Sequence, residues 1–139
     1  GCEEQLIFIG NWQTTNYGKK LFKNYHSTDN FLLLEAIYDV QQLYHYRKNC
    51  FCYIHGHSAG GTNPSLVEIM HFAKPIIAFD CKYNRSSMNN KGFYFSDVKD
   101  LHLRLSEIRC PQDNDMRNIA MEKYTWKTIR KHYSDLFQN

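Results

Sequence analysis

No stretch of this sequence approaches the ~20 consecutive apolar residues that span a bilayer, and no signal-peptide pattern is present. Internal repeats and low-complexity segments are absent as well. Charge gives no footprint for a polyanion. The net charge of +3 is modest, and lysine and arginine are scattered rather than striped, so nucleic acid is not an expected partner. Five cysteines, an odd number without paired framework spacing, predict reduced thiols and a cytoplasmic setting. No acidic cluster with metal-ligand spacing is visible, so no metal is expected. What is present is a chain of 139 residues, 42% hydrophobic and rich in aromatics, which is the length of a single domain with a substantial core. It opens on Gly rather than Met, and the expectation is a piece of something longer.

Apolar runs and helical stripes alternate along the chain. Leu6-Ile7-Phe8-Ile9-Gly10 is a short continuous apolar run of the kind buried on both faces of a parallel sheet. A helix over residues 17–25 follows, with Leu21 and Tyr25 facing inward, then a strand at Phe31-Leu32-Leu33-Leu34. Asp39 is placed to cap the next helix, which runs through Leu43 and Tyr46. Further strands are predicted over 51–55, 75–80 and 92–95. Beyond them Val98, Leu101, Leu105 and Ile108 form one amphipathic stripe, and a helix near 116–124 follows the Pro111 break. Thr125 can cap a last helix presenting Trp126, Ile129, Tyr133, Leu136 and Phe137 as core. Strand alternating with helix predicts an α/β fold with a mostly parallel sheet of about five strands, covered on both sides.

The stretch around which the rest is organised is Tyr53-Ile54-His55-Gly56-His57-Ser58-Ala59-Gly60-Gly61-Thr62-Asn63-Pro64-Ser65-Leu66-Val67-Glu68. Asn63 is the natural N-cap of the following helix, with Pro64 at the first helical position, where its missing N–H costs nothing. Leu66, Ile69, Met70 and Ala73 then share one face. Gly60 and Gly61 allow close backbone approach, and a helix start favours an anion, so the loop reads as a phosphate cradle.

Two rival chemistries fit the same residues less well. Gly56-His57-Ser58-Ala59-Gly60 matches the G-x-S-x-G elbow of serine hydrolases, but there the helix follows the serine directly. Pro64 would then lie inside the helix at a cost of ~3 kcal/mol. Cys50, Cys52, His55 and His57 resemble a metal set, yet side chains alternate along a strand, so the cysteines would face one way and the histidines the other. Small buried residues of a central strand is the better reading of the two cysteines.

In open sheets of this kind ligands bind beyond the carboxyl ends of the strands. Gly10-Asn11, Ile37-Tyr38-Asp39, the loop over 57–63 and the segment after Asp80 all lie at such ends and are expected to converge on one crevice. The run from His55 to Met70, followed by Lys74-Pro75-Ile76-Ile77-Ala78-Phe79-Asp80 and Tyr83-Asn84-Arg85, resembles the donor-binding half of glycosyltransferase family 4. It is most similar to the subgroup containing rhamnosyltransferases of bacterial surface polysaccharides. The likeness covers nearly all of the chain, from Phe8-Ile9-Gly10-Asn11, which matches the family's second strand and Gly turn, to Tyr124-Thr125-Trp126 in its terminal helix motif.

This resemblance implies a Rossmann-like three-layer α/β/α domain with C-terminal helices, half of a GT-B fold. It further implies retaining transfer of a sugar, rhamnose among the candidates, from a nucleotide-sugar to a glycan or lipid-linked acceptor, without a cofactor. The family's acceptor domain and a first strand and helix that carries basic phosphate contacts have no counterpart before Leu6, so the piece alone should be inactive. Peripheral membrane association of the full-length protein is left open. By position, Glu68 matches the second glutamate of the family's E-x7-E motif, which holds the ribose. Gly61, Thr62 and Asn63 match the backbone at the diphosphate, and Ile37 and Tyr38 match the loop beside the base. Gly10, Asn11, His57 and Gly60 complete the expected nucleotide-sugar site, with no catalytic residue assigned. The first glutamate of the motif falls at Gly60, a departure that suits a nucleotide-binding module without chemistry as the alternative to an enzyme. A second role for Glu68 would be a capping box with Ser65, but Asn63 as cap leaves its carboxylate unengaged.

Overall fold

In the computed structural model the described residues are 5–109 and 112–137. They form β1 (Leu6–Ile9), α1 (Asn16–Tyr25), β2 (Phe31–Leu34), α2 (Val40–Asn49), β3 (Tyr53–His55), α3 (Pro64–Met70), β4 (Ile76–Phe79), α4 (Lys82–Ser87), β5 (Phe93–Phe95), α5 (Val98–Glu107), α6 (Asn114–Lys123) and α7 (Trp126–Leu136). The protein is an α/β fold of Rossmann-like type, with every strand pair parallel. The expected single sheet is instead two, β1-β2 and β3-β4-β5. The strands are three or four residues long, and among the described residues no ladder joins β2 to β3. The chain divides into two compact units, Gly1–Tyr46 and Arg47–Asn139.

In the first unit β1 and β2 pair in register from Leu6 with Phe31 to Ile9 with Leu34, connected by α1. Thr15 caps α1 by accepting from Gly18 N at 2.9 Å. Gly18 is required there, because a Cβ would sit 2.6 Å from the Trp12 carbonyl oxygen. Trp12 Nε1 donates to Leu34 O at 2.7 Å and ties the turn after β1 to the end of β2. Ile7, Phe8 and Ile9 are exposed, contrary to the expectation of a strand covered on both faces. Phe8 meets Trp12 and Phe31 edge to face. Asp39 caps α2 as expected, accepting from Gln42 N at 2.7 Å.

The second unit holds the core. Leu66, Ile69 and Met70 of α3, Ile76 and Ala78 of β4, Met88 after α4, and Met116, Ile119 and Ala120 of α6 pack together with little or no exposure. Several elements differ from their sequence reading. The third strand begins at Tyr53, so Cys50 and Cys52 precede it; both are half-buried, and Cys50 Sγ donates to Arg47 O at 3.3 Å. Strand length is set by pairing, and Tyr53 is the first residue of β3 with a partner, Ile76 on β4. Helix α3 stops at Met70, and Ala73, expected on its buried face, turns to φ +54° ahead of Pro75. A left-handed residue followed shortly by proline is a common way for a helix to end. The short helix α4 has no apolar periodicity in Lys82-Tyr83-Asn84-Arg85-Ser86-Ser87 and went unpredicted.

Thr125 does cap α7, accepting from Thr128 N. The aromatic stripe it carries is not core, however: Trp126 is 85% and Phe137 87% exposed, with Tyr133 and Leu136 also in solvent. Val98, expected in the α5 stripe, is likewise exposed, whereas Ile108 at its far end is buried. No helix among the described residues is long and apolar enough to cross a membrane.

Candidate functional site

The predicted site residues divide between the two units. In the first, Gly10 and Asn11 follow β1 while Ile37 and Tyr38 lie beyond the end of β2. Because these strands are parallel neighbours, all four sit past the carboxyl edge of the same sheet. Gly10 N donates to Leu34 O at 3.1 Å and extends the ladder, Asn11 O accepts from Thr14 Oγ1 at 3.0 Å, Ile37 is half-buried, and Tyr38 is 83% exposed.

The second unit carries the loop. It leaves β3 at His55, passes through residues 56–62, all exposed, and enters α3 at Pro64. Asn63 is the cap, its Oδ1 accepting from Ser65 N at 2.9 Å, with Pro64 at the first helical position. Between these ends, residues 58–62 make no hydrogen bond to any described residue, so five successive backbone amides have no acceptor among the described residues. Gly60 needs its positive φ of +96°. Gly56 and Gly61 do not have that excuse, and a Cβ at Gly56, Gly60 or Gly61 would meet nothing within 4 Å. Packing within the chain therefore explains neither Gly56 nor Gly61, whereas close approach of a ligand to the backbone would.

Glu68 stands five residues past the Asn63 cap, a rise of about 7.5 Å along the helix. Its carboxylate is not unengaged as the sequence suggested: Oε2 accepts a hydrogen bond from Arg47 Nη2 in a half-exposed ion pair. Nor does it cap α3, which removes the capping-box alternative. Burial raises the pKa of the Tyr53 phenol, which lies in the field of this pair; Arg47 opposes that rise and Glu68 adds to it.

His57 is held at the start of the loop. Its carbonyl accepts from Asn84 Nδ2 at 2.9 Å and from Cys81 Sγ at 3.9 Å. Its ring stacks on that of His55 at 4.8 Å between centroids. His55 is 1% exposed, and neither ring nitrogen has a partner, so burial, reinforced by His57, pushes its pKa down to about 4. Beyond β4, Asp80 takes a two-point bond from Arg85, at 2.5 Å from Nε and 2.7 Å from Nη2, which holds its carboxyl below the usual range. The same guanidinium lies 4.3 Å above the Tyr94 ring, and burial drives that phenol up to about 12.

The hydrolase geometry is not formed. Ser58 hydrogen-bonds to no histidine, and the helix starts six residues after it. Among the described residues no group of three or more His, Cys, Asp or Glu side chains could hold a metal ion. Sequence reasoning missed Arg47, which bonds Glu68 on α3, and Asn84, which bonds the start of the loop. Asn84 lay within a quoted motif without a role, and only its burial among strand ends identifies one. No family model, no curated protein and no solved structure matches this chain.

Proposed function

We propose that this chain is the donor-binding part of a retaining glycosyltransferase, holding a nucleotide-activated sugar, rhamnose among the candidates, for transfer to a glycan or lipid-linked acceptor in a cytoplasmic setting. The diphosphate lies on the amides of Gly61, Thr62 and Asn63, with His57 and Gly60 alongside. The ribose hydroxyls bond Glu68. The observation that carries this reading is the row of five amides without acceptors among the described residues, beside glycines whose Cβ positions open on nothing. Backbone amides converging on a ligand need no metal to bind phosphate, and charge-assisted bonds to them are short and strong. The rise of about 7.5 Å from the Asn63 cap to Glu68 is within the length of a ribose diphosphate. Glu68 Oε1 bonds to no described residue, which leaves it available to a hydroxyl.

Gly60 favours a second reading. A carboxylate expected beside the donor sugar is replaced by an exposed glycine, which suits a module that binds nucleotides without chemistry. Titrating a panel of nucleotide-sugars and their nucleoside diphosphates into the protein by calorimetry tests both. Selective binding of one diphosphate-sugar supports the donor site, and sugar transfer by a protein containing this chain separates enzyme from module. No binding of any diphosphate at millimolar concentration would overturn both readings.

A further inference from the structure

We infer that Asn84 is a positioning residue that sets the orientation of the ligand loop from outside it. Its carboxamide is 3% exposed and uses both N–H donors, one on His57 O at 2.9 Å and one on Phe79 O at 2.8 Å. These carbonyls lie at and just beyond the ends of neighbouring parallel strands, where their ladder has run out: the last pair is His55 with Ala78, Phe79 ends β4, and His57 is two residues past β3. One buried side chain from α4 therefore continues the connection after backbone pairing has stopped.

The consequence for the loop follows from peptide geometry. A trans peptide is planar, with its C=O and N–H pointing in opposite directions. Fixing the His57 carbonyl toward Asn84 thus turns the Ser58 N–H away from α4, as the first of the five amides without acceptors among the described residues. Residues 58–62 then hang between two anchored points, His57 and the Asn63 cap. The Asn63 anchor is local to the loop, while the His57 anchor depends on α4. Cys81 Sγ reaches the same carbonyl only at 3.9 Å, and the His55 ring steadies the His57 side chain rather than its peptide.

The effect on ligand affinity rests on the phosphate-cradle reading given above; the effect on loop order does not. The full chain and its Asn84→Ala variant would be compared by backbone 15N relaxation and by titration with inorganic pyrophosphate. In the variant, order parameters over residues 57–60 should fall below about 0.6, those of β4 should stay near 0.85, and pyrophosphate should bind roughly tenfold more weakly or worse. A merely structural tie would lower the melting temperature and leave the loop as rigid as before, and that result overturns the inference. Pyrophosphate failing to bind the unaltered protein would remove the cradle reading while the relaxation data still decide the role of Asn84. Should the variant not fold, Asn84→Ser, which stays small and polar but cannot bridge both carbonyls, is read by the same relaxation measurement: loss of order over residues 57–60 supports the inference, and a loop as rigid as in the unaltered protein overturns it.

Discussion

Arg47, in the last turn of α2, donates from Nη2 to Oε2 of Glu68 on α3. The side chains are 21% and 52% exposed, so water screens the attraction and the pair contributes under about 1 kcal/mol. Arg47→Met should therefore lower the unfolding free energy from urea titration by less than about 1 kcal/mol, and high salt should shrink the difference further. A loss of several kcal/mol would mean that the pair is desolvated and that Glu68 is committed to structure.

The start of α3 makes a separate, local prediction. Asn63 provides the cap and Glu68 does not, so Asn63→Ala should cost ~1 kcal/mol while Ser65→Ala changes stability by no more than about 0.5 kcal/mol. Denaturation of the two variants checks this, and the reverse order would restore the Ser65–Glu68 capping box.

His55 ties stability to pH. Its folded pKa of about 4 lies below the ordinary value of 6.5, so between these values the unfolded chain binds the extra proton. The stabilisation from neutral His55 is complete above about pH 6.5 and lost as pH falls toward 4. At about 1.4 kcal/mol per pKa unit the loss is on the order of 3–4 kcal/mol. His55→Phe, which keeps a ring to stack on His57, should flatten the melting-temperature profile across that window. Equal losses in both proteins would assign the pH dependence to other groups.

Much of the fold is legible in the sequence because local rules decide it. Asn63-Pro64, Asp39 and Thr125 each start a helix where capping chemistry says they should, and Leu66, Ile69 and Met70 are buried together as their spacing requires. What the sequence hides depends on partners distant along the chain. Periodicity shows that Trp126, Tyr133 and Phe137 share a face of α7 but not whether anything covers it. Apolar runs mark five strands without saying that they divide into two sheets. Cys50 and Cys52 look like strand residues until pairing defines β3 at Tyr53. Of the site, the loop and its cap can be read in advance, whereas Arg47 on Glu68 and Asn84 on His57 join residues 21 and 27 positions apart.

The central claim is that Glu68 holds a ribose whose diphosphate lies on the amides of Gly61, Thr62 and Asn63. It is tested most directly by titrating the unaltered protein, Glu68→Gln and Gly61→Val with a nucleoside diphosphate and with inorganic pyrophosphate. A charge-assisted bond to a hydroxyl contributes ~1.5–3 kcal/mol, so Glu68→Gln should weaken the nucleoside diphosphate by about tenfold or more and leave pyrophosphate almost unchanged. Gly61→Val should weaken both alike, because its Cβ enters space now open above the backbone. Equal loss of both ligands in Glu68→Gln would contradict the claim and return Glu68 to the service of Arg47 alone.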